Sequence, residues 1–411
     1  MGAALASVTT LFFAWGFVTS TIDALVPSVR SIFQLSYAQA MLTQFAYFLA
    51  YGLVSLPAAA IVARLGFARA IIVSLGIMVL GCLIIPLATL AGLYGLVLFA
   101  LFVLAAGVTM LQVAANPLVA VLGPEASSHH RLTLTQAFNS LGTVLGPLMA
   151  SAILLRGGVF GGGDAAAARS ESLRNIDLQF LLVAAALVLL AAFLWRMRAT
   201  LTTERTEQES EGASVLEAFR SPWALFGALA IFVYVGAEVS IGSTMINFLE
   251  QPGVLGVSAE RAGQLLSLYW GGAMVGRFIG SALLNRFAAG RLLALAAGVA
   301  ALLCLTVVLA EGTGAAVAAL AIGLFNSIMF PTIFTLTLER STAHASATSG
   351  LLCMAIVGGA LVPVTVGMVA DRVGLATAYL VPMICYAVIV LFAATGRPAR
   401  PAQTEKADAA S

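Results

Sequence analysis

Charged residues are scarce in this sequence. Of its 411 residues, 9% are Asp, Glu, Lys or Arg, whereas 61% are apolar. Soluble globular domains carry about 25% charged residues, so this composition excludes a soluble globular protein. It predicts a chain that crosses a membrane many times.

Cysteine, histidine and net charge are also low. The cysteines lack CxxC spacing, so we expect neither a disulfide nor a metal site, and the histidines fall in short polar segments where we expect them to be solvated. A net charge of +2 argues against nucleic acid as a partner. No cofactor and no enzymatic activity are expected, because no nucleophile or metal cluster gathers at one membrane depth. The residues concerned are Cys82, Cys304, Cys353, Cys385, His129, His130 and His344.

Apolar segments of helical length recur twelve times along the chain. Each is long enough to cross the hydrocarbon core of a bilayer, and the first is too long for a cleaved signal peptide. The sequence therefore predicts an all-α polytopic membrane protein with twelve transmembrane helices. The segments are 5–29, 38–62, 68–87, 93–121, 131–155, 177–197, 223–249, 260–284, 291–310, 314–338, 347–370 and 375–395.

The positive charges of the loops predict the orientation. With the amino terminus inside, thirteen Arg and Lys residues fall on the cytoplasmic side and six on the outside. Because cytoplasmic loops carry an excess of positive charge, this count favours both termini in the cytoplasm.

The two halves of the sequence repeat. Gly142 and Pro147 recur as Gly358 and Pro363 with one offset of 216 residues, and residues of the second segment recur in the eighth with an offset of 222. Matching offsets in several helices indicate two six-helix bundles in parallel repeat, a plan that resembles that of major facilitator transporters. A ligand site is then expected at the midplane between the bundles.

One long hydrophilic interruption, rich in Glu and Thr, separates the halves. A second break, at 156–177, contains a glycine triplet and is predicted to be an outer loop. Residues 214–219 could form a short interfacial helix. The predicted domains are an amino-terminal bundle at 1–198, a cytoplasmic linker at 199–221, a carboxy-terminal bundle at 222–396 and a polar cytoplasmic tail at 397–411.

Two pairs of amides lie in predicted helices where Leu or Val would face lipid. Gln112 and Asn116 share one helix face, and Gln136 and Asn139 share another. A rise of about 1.5 Å per residue places them roughly 10–15 Å from the turn that joins the two helices, inside the hydrocarbon. An unpaired amide there costs several kcal/mol, so these four are expected to face a polar cavity or one another. Amides both donate and accept hydrogen bonds, which suits a neutral ligand rich in hydroxyl groups.

Three ionisable residues lie deep in predicted helices. A medium of low dielectric favours the neutral form of a carboxyl group, so Asp23 in the first helix is a candidate proton carrier. Glu238, near mid-depth in the seventh helix, is a candidate for proton or sugar contact. Arg277 in the eighth helix is interpreted as a snorkelling or inter-bundle structural arginine. For both acids a hydrogen-bonded structural role is the alternative.

Further polar and aromatic residues are weaker candidates for ligand contact. Tyr269 and Trp270 could stack on the apolar face of a sugar ring, although packing is the commoner role of aromatic residues in membrane helices. Asn326, followed by Pro331, mirrors Asn116–Pro117, and each proline frees a backbone carbonyl that could line a cavity. The remaining candidate ligands are Gln44, Asn247 and Asn326.

Two residues near predicted helix ends are candidates, with Arg277, for a structural or gating role. Arg64-Leu-Gly66 resembles the signature between the second and third helices of major facilitators, but Ala63 stands where an Asp is usual. Asp371, followed by Arg372, is closer to that signature and falls on the opposite side of the predicted membrane.

A more specific resemblance covers most of the chain. The chain resembles the fucose–galactose–glucose:proton symporter family of the major facilitator superfamily in the segments FFAWGFVTSTID, SYAQAMLTQFAYF, LQVAANPLVAVLGPE, RLTLTQAFNSLG and YVGAEVSIGS. The resemblance implies uptake of a hexose, of the glucose, galactose or fucose type, together with protons. It assigns the first functional acid of the family to Asp23. The second acid of the fucose branch is Gln112 here, and Gln112 with Glu238 is similar to the glucose/galactose branch.

We therefore expect an alternating-access carrier for a small sugar and a coupling proton. It is expected to act as a monomer in the lipid bilayer of a bacterial-type inner (plasma) membrane. An N-acetylhexosamine or another sugar of the same family, and sodium as the coupling ion, remain alternatives. A multidrug exporter should have an aromatic and aliphatic pocket rather than amides, and a membrane sensor should carry a soluble output domain.

Overall fold

The computed structural model of this chain describes residues 2–33, 37–154, 165–201 and 214–395. These residues form α-helices and three short 3₁₀ turns, and no strand occurs among them. The turns are Glu125–Ser127, Val215–Arg220 and Ala355–Val357. The helices are α1 (Gly2–Phe33), α2 (Tyr37–Leu65), α3 (Phe67–Ala91), α4 (Tyr94–Val121), α5 (Ser128–Leu154), α6 (Ala165–Leu201), α7 (Pro222–Glu250), α8 (Ala259–Leu284), α9 (Ala289–Leu309), α10 (Gly312–Asn326), α11 (Met329–Arg340), α12 (Ala345–Met354), α13 (Gly358–Val373), α14 (Leu375–Ala378) and α15 (Leu380–Thr395).

These helices make twelve membrane crossings in two bundles of six. Helices α1 to α6 form the amino-terminal bundle and α7 to α15 the carboxy-terminal bundle, in which α10–α11, α12–α13 and α14–α15 each make one crossing. Nine crossings, counted over the residues described here, are long and apolar enough by length and composition to span a membrane. The predicted fold class, an all-α polytopic membrane protein, is confirmed.

Helix α6 differs from its sequence prediction at both ends. The sequence predicts an outer loop over 156–177, but α6 begins at Ala165. Four consecutive alanines open the helix, and Ala is the strongest helix former. The helix also runs to Leu201, beyond the predicted boundary at 198. The short helix predicted between the bundles is present as the 3₁₀ turn Val215–Arg220.

The two bundles repeat the same close helix crossing. In the first bundle, a methyl group added to Gly142 of α5 would strike the carbonyl oxygen of Phe13 on α1. In the second, Gly358 at the start of α13 meets the carbonyl oxygen of Phe232 on α7 in the same way. A larger residue would force these helices apart, which explains why the two glycines recur at matching positions.

Prolines free backbone carbonyls in both bundles, as the sequence predicts. Pro117 has no N–H to offer the carbonyl of Val113, and that oxygen accepts a hydrogen bond of 2.9 Å from Oγ of Ser349 in the other bundle. Helix α4 nevertheless continues through Pro117. Pro331 frees the carbonyl of Ser327 by the same mechanism, and at this position the crossing is divided into α10 and α11.

The bundles meet mainly along two helix pairs, α5 with α8 and α2 with α12. In the first pair the rings of Phe138 and Phe278 meet edge to face, with centroids 5.9 Å apart. In the second, Gly350 lies against Ala59. The name 'α5 end' is used for the end of the molecule at which α4 ends and α5 begins. The contacts between the bundles are polar there, and Oγ of Ser128 donates to Oε1 of Glu339 at 2.8 Å.

Candidate functional site

A buried ion pair lies in the middle of the carboxy-terminal bundle. Oε1 of Glu238 on α7 is 3.9 Å from Nη2 of Arg277 on α8. The same carboxylate oxygen accepts a hydrogen bond of 2.8 Å from the hydroxyl of Tyr234, one turn earlier on α7. The two charged side chains are only 14% and 16% exposed. An unpaired charge at this depth is costly, so each of these groups compensates the other.

Arg277 also joins the two bundles. Its Nε donates to the carbonyl of Ser327 at 3.2 Å, the oxygen that Pro331 leaves free. Its Nη1 donates to Oγ of Ser140 on α5. With Nη2 near Glu238, each guanidinium nitrogen has a partner, and one of these partners belongs to the other bundle. Of the two roles that the sequence allows for Arg277, the inter-bundle contact is the one observed.

Asn326, fully buried at the end of α10, is the centre of a second set of contacts. Its Nδ2 donates to the hydroxyl of Tyr269 at 2.8 Å, and its Oδ1 accepts a hydrogen bond of 2.7 Å from Tyr386. Its carbonyl oxygen, where the α10–α11 crossing is divided, is 3.1 Å from the hydroxyl of Tyr234. The hydroxyl of Tyr269 donates in turn to the main-chain carbonyl of Glu238 at 3.2 Å. We call these residues, with Arg277, the Glu238 network.

The hydrogen bond between Glu238 and Tyr234 can form in either protonation state of Glu238. When Glu238 is charged, Tyr234 donates to it. When Glu238 carries a proton, it can donate to Tyr234, whose own hydrogen then turns to the carbonyl of Asn326. The hydroxyl of Tyr234 thus keeps a partner in both states, whereas protonation of Glu238 removes the charge that balances Arg277. Uptake of a proton by Glu238 would therefore release Arg277 from its ion pair.

The four amides singled out in the sequence all lie in the amino-terminal bundle. Gln112 donates through Nε2 to the hydroxyl of Tyr51 on α2, and Nε2 of Gln136 is 3.5 Å from Oδ1 of Asn116. Asn139 donates to a main-chain carbonyl of α1 at 2.9 Å. The first three amides are buried and Asn139 is half-buried. Of the two arrangements that the sequence allows, pairing between amides is seen only for Gln136 with Asn116, and Asn139 is the amide with most surface left for a ligand.

The two aromatic candidates have different surroundings. Tyr269 is fully buried and uses its hydroxyl within the Glu238 network. Trp270 is 39% exposed, its ring 5.0 Å from that of Tyr269, and it lies against Gly242, one turn beyond Glu238 on α7. Of this pair, Trp270 has ring surface available to a ligand.

The remaining candidates lie outside these contacts. Asn247 is exposed, further along α7 than Glu238. Arg64, in the last turn of α2, and Asp371, near the end of α13, are exposed. Asp23 and Gln44 belong to described helices, but their side chains lie outside the part of the chain whose side chains the structure describes.

Sequence reasoning misses three residues that complete these contacts. Tyr234 precedes Glu238 by one helical turn, and that spacing is a signal that the sequence holds. Tyr386 lies 60 residues from Asn326 in a uniformly apolar segment, and Ser140 lies 137 residues from Arg277. Only the packing of distant helices brings these last two residues to the site.

Known proteins resemble this chain along nearly its whole length. The sequence profile of the Major Facilitator Superfamily matches residues 8–355. A glucose/galactose transporter of Brucella abortus is 46% identical over 401 residues, which cover 96% of this chain and 94% of that protein. The L-fucose-proton symporter of Escherichia coli is 31% identical over 398 residues, covering 93% and 90%.

The comparison of folds agrees with the comparison of sequences. A crystal structure of the E. coli fucose:proton symporter in the outward conformation matches with a TM-score of 0.86 and 29% identity, over 96% of this chain and 99% of that one. The family profile covers most of the chain, and a relative of nearly equal length shares almost half of its residues. This chain belongs to the Major Facilitator Superfamily.

Proposed function

We propose that this chain is a secondary active transporter that imports a hexose with protons by alternating access. The names of its relatives support the solute, since the Brucella protein is a glucose/galactose transporter and the E. coli protein an L-fucose-proton symporter. The observation that carries proton coupling is the Glu238 network. A buried acid that keeps a hydrogen-bond partner in both protonation states, and that releases a cation when it takes up a proton, suits a proton-coupled carrier.

We assign the coupling role first to Asp23, because the family resemblance matches that position residue by residue. Glu238 is placed as a sugar ligand or as the second titrating group. Asp23 is on α1 and Glu238 on α7, which are repeat-related helices, and we propose that both acids serve the ligand site at the midplane between the bundles. The proposed ligand positions are Gln44, Gln112, Asn116, Gln136, Asn139, Asn247, Tyr269, Trp270 and Asn326. Arg277, Arg64 and Asp371 are proposed to act in structure or gating.

Uptake into proteoliposomes under an imposed inward pH gradient tests the proposed solute. We expect radiolabelled glucose or galactose to accumulate above its external concentration. Accumulation should collapse when a protonophore removes the gradient. If N-acetylglucosamine accumulates and the hexoses do not, the solute is wrong; if no sugar of the panel moves, the transporter assignment itself fails.

The proposed membrane is a bacterial-type inner membrane, with both termini in the cytoplasm and the monomer as the functional unit. The positive charges of the loops support the orientation. Single cysteines at Gly162 and at Gln208 are therefore expected to react with a membrane-impermeant maleimide from opposite sides. The four native cysteines are buried, so the introduced residues carry the signal. Labelling of both positions from the same side would contradict the orientation.

Removal of an amide from the amino-terminal bundle is expected to weaken sugar binding. Gln112→Leu leaves the hydroxyl of Tyr51 without its donor, and Asn139→Leu frees a carbonyl of α1. Each substitution should cost about 1–3 kcal/mol of binding free energy, the cost of an unpaired buried polar group. Calorimetric titration with the transported sugar measures the change.

Gln264→Leu is the matched control for these variants, because it removes an exposed amide that binds Arg261 at 2.8 Å. We expect its sugar affinity to equal that of the unmodified chain. Unchanged affinity in Gln112→Leu and Asn139→Leu as well would show that these amides only hold helices together.

A further inference from the structure

The three histidines of the chain all make contacts at the α5 end, where the sequence alone predicts solvated side chains. His129 and His130 lie in the first turn of α5 and reach the carboxy-terminal bundle. His344, just before α12, is 2.9 Å from Glu217 in the 3₁₀ turn between the bundles. His129 and His130 thus join segments that must separate if the bundles part at this end, whereas the turn that binds His344 packs mainly on the carboxy-terminal bundle.

His129 has two partners on α11, one at each ring nitrogen. Nδ1 is 2.5 Å from Oγ1 of Thr335, and Nε2 is 3.2 Å from Oε1 of Glu339. The same carboxylate oxygen accepts a hydrogen bond of 2.8 Å from Ser128. The side chains of His129 and Glu339 are only 14% and 18% exposed, so water screens the pair weakly.

The acceptors around His129 distinguish its neutral and charged forms. Oγ1 of Thr335 is 2.8 Å from the carbonyl of Pro331; with its hydroxyl hydrogen directed there, its oxygen is left to accept from Nδ1. A charged Glu339 can only accept, so Nε2 must donate as well. Both ring nitrogens donate at once only in the protonated imidazolium. The neutral ring keeps both contacts only if Thr335 turns away from Pro331.

His130 provides an internal comparison. Its Nδ1 is 2.8 Å from the carbonyl of Ser281 on α8, and a carbonyl accepts one hydrogen from a neutral ring as readily as from a charged one. Nδ2 of Asn285, the residue after the end of α8, also approaches this nitrogen, at 3.1 Å. A neutral His130 ring can make these contacts, so they do not require a second proton on the ring.

Of the nearby cations, Arg131 has other partners, whereas Arg340 acts on Glu339 from the same helix. Arg131 on α5 donates through Nε to the carbonyl of Val119 at 3.1 Å and through Nη2 to that of Ala120 at 2.6 Å. Arg340 follows Glu339 in α11, and its guanidinium lies 5.0 Å from the ring centre of Trp223. His129 is therefore the group placed to balance the charge of Glu339 across the two bundles.

We propose that His129 and Glu339 form a proton-controlled latch that holds the bundles together at the α5 end. When the bundles part, His129 loses the acceptors that its second proton serves. The contacts thus favour the proton only while the latch is closed, and by linkage the proton favours closure. This contribution is present while His129 carries its second proton and is lost when that proton leaves, so it favours closure at low pH.

The latch would let the pH at one membrane face govern the conformational cycle. In the orientation proposed above, the α5 end faces the cytoplasm, so an acidic cytoplasm keeps the inner gate shut. A carrier that brings protons inward would then be slowed by the acidity that it produces. This inference goes beyond solute transport and does not depend on which solute moves.

Distances between spin labels on the full chain in lipid nanodiscs test the latch without any solute. Ala126 and Ala288 are exposed, lie in different bundles near the α5 end, and can each be replaced by Cys. We expect the closed, short-distance fraction to increase as the pH falls from about 8 to about 5. The closed-to-open ratio should change by at least about fivefold over this range.

His129→Gln and Glu339→Gln are each expected to reduce this pH dependence to the part that Asp23 and Glu238 contribute, because neither variant can form the charged pair. His130→Gln is the matched control: it removes a contact between the same bundles that a neutral ring satisfies, so the full pH dependence should remain. An undiminished pH dependence in both His129→Gln and Glu339→Gln would overturn the proposal.

Direct observation of the His129 ring in the unmodified chain provides a second test, which remains valid if a variant folds poorly. Selective ¹⁵N labelling of histidine gives signals from three residues only, and His129→Gln identifies the signal of His129. In the unmodified chain at low pH, both ring nitrogens of His129 should have the shift of a protonated imidazolium. A neutral His129 across the whole range of about pH 5 to pH 8 would also overturn the latch.

Discussion

Asp23→Asn is expected to abolish accumulation of sugar against its gradient while leaving exchange of internal for external sugar intact. Asn mimics the protonated carboxyl group in size and hydrogen bonding but cannot release a proton, so the sugar-bound cycle survives and its link to the proton gradient is lost. Steady-state accumulation in proteoliposomes should fall at least about tenfold, the factor that corresponds to about 1.4 kcal/mol. Counterflow of labelled sugar should proceed at the rate of the unmodified chain.

Glu238→Gln provides the comparison for that result. Gln keeps an acceptor for Tyr234 but loses the charge that balances Arg277, so sugar affinity should fall before coupling does. If Asp23→Asn still concentrates sugar under a pH gradient and Glu238→Gln does not, the roles of the two acids are reversed. In that case Glu238, which can keep its hydrogen bond with Tyr234 in both protonation states, would be the proton carrier.

Arg277→Leu is expected to produce the second large effect. It removes the cation beside Glu238, the donor to the carbonyl of Ser327 and the contact with Ser140 in the other bundle. Breaking a buried pair by removing one partner costs about 3–5 kcal/mol, so proton-driven uptake should fall at least about a hundredfold. Initial rates of uptake, normalised to the folded protein by size-exclusion chromatography, measure the loss.

Three further variants separate the functions of Arg277. Arg286→Leu, an exposed arginine just after α8, is the matched control and should transport normally. Ser140→Ala should alter the balance between conformations while leaving sugar affinity unchanged, because it removes only the contact with the other bundle. The double variant Arg277→Leu with Glu238→Gln should recover part of the binding lost in Arg277→Leu, since no buried charge is left unpaired. Equal binding in the double and single variants would show that the two side chains are not energetically coupled.

The architecture could be predicted because the bilayer leaves the chain few choices. Backbone groups in hydrocarbon must pair within a helix, so each apolar segment becomes a helix. The repeat could be recognised in the sequence because Gly142 and Gly358 lie at helix crossings that are too close for a larger residue. The break at α10–α11 follows from Pro331, which lacks the N–H that would bind Ser327. The helical start of α6 at Ala165 differs from the sequence prediction because the Gly triplet before it is typical of a loop.

The site could be predicted only in part. Buried charge in lipid is rare enough to single out Glu238 and Arg277 from the sequence, but their pairing depends on how α7 lies against α8. Tyr386 and Ser140 give no local signal, because their neighbours in sequence are not their neighbours in space. The histidines at the α5 end show the same limit. The sequence predicts that His129 is a solvated loop residue, and only the packing of α11 against α5 brings Glu339 next to it.

The measurement that tests the central claim most directly is the movement of protons caused by sugar. Proteoliposomes without an imposed gradient are given external glucose or galactose in weakly buffered medium, and the external pH is recorded. We expect the medium to become alkaline as sugar enters down its own gradient, with no requirement for sodium and with no response in Asp23→Asn. Sugar entry without any change in external pH, or entry that requires added sodium, would contradict proton-coupled hexose import.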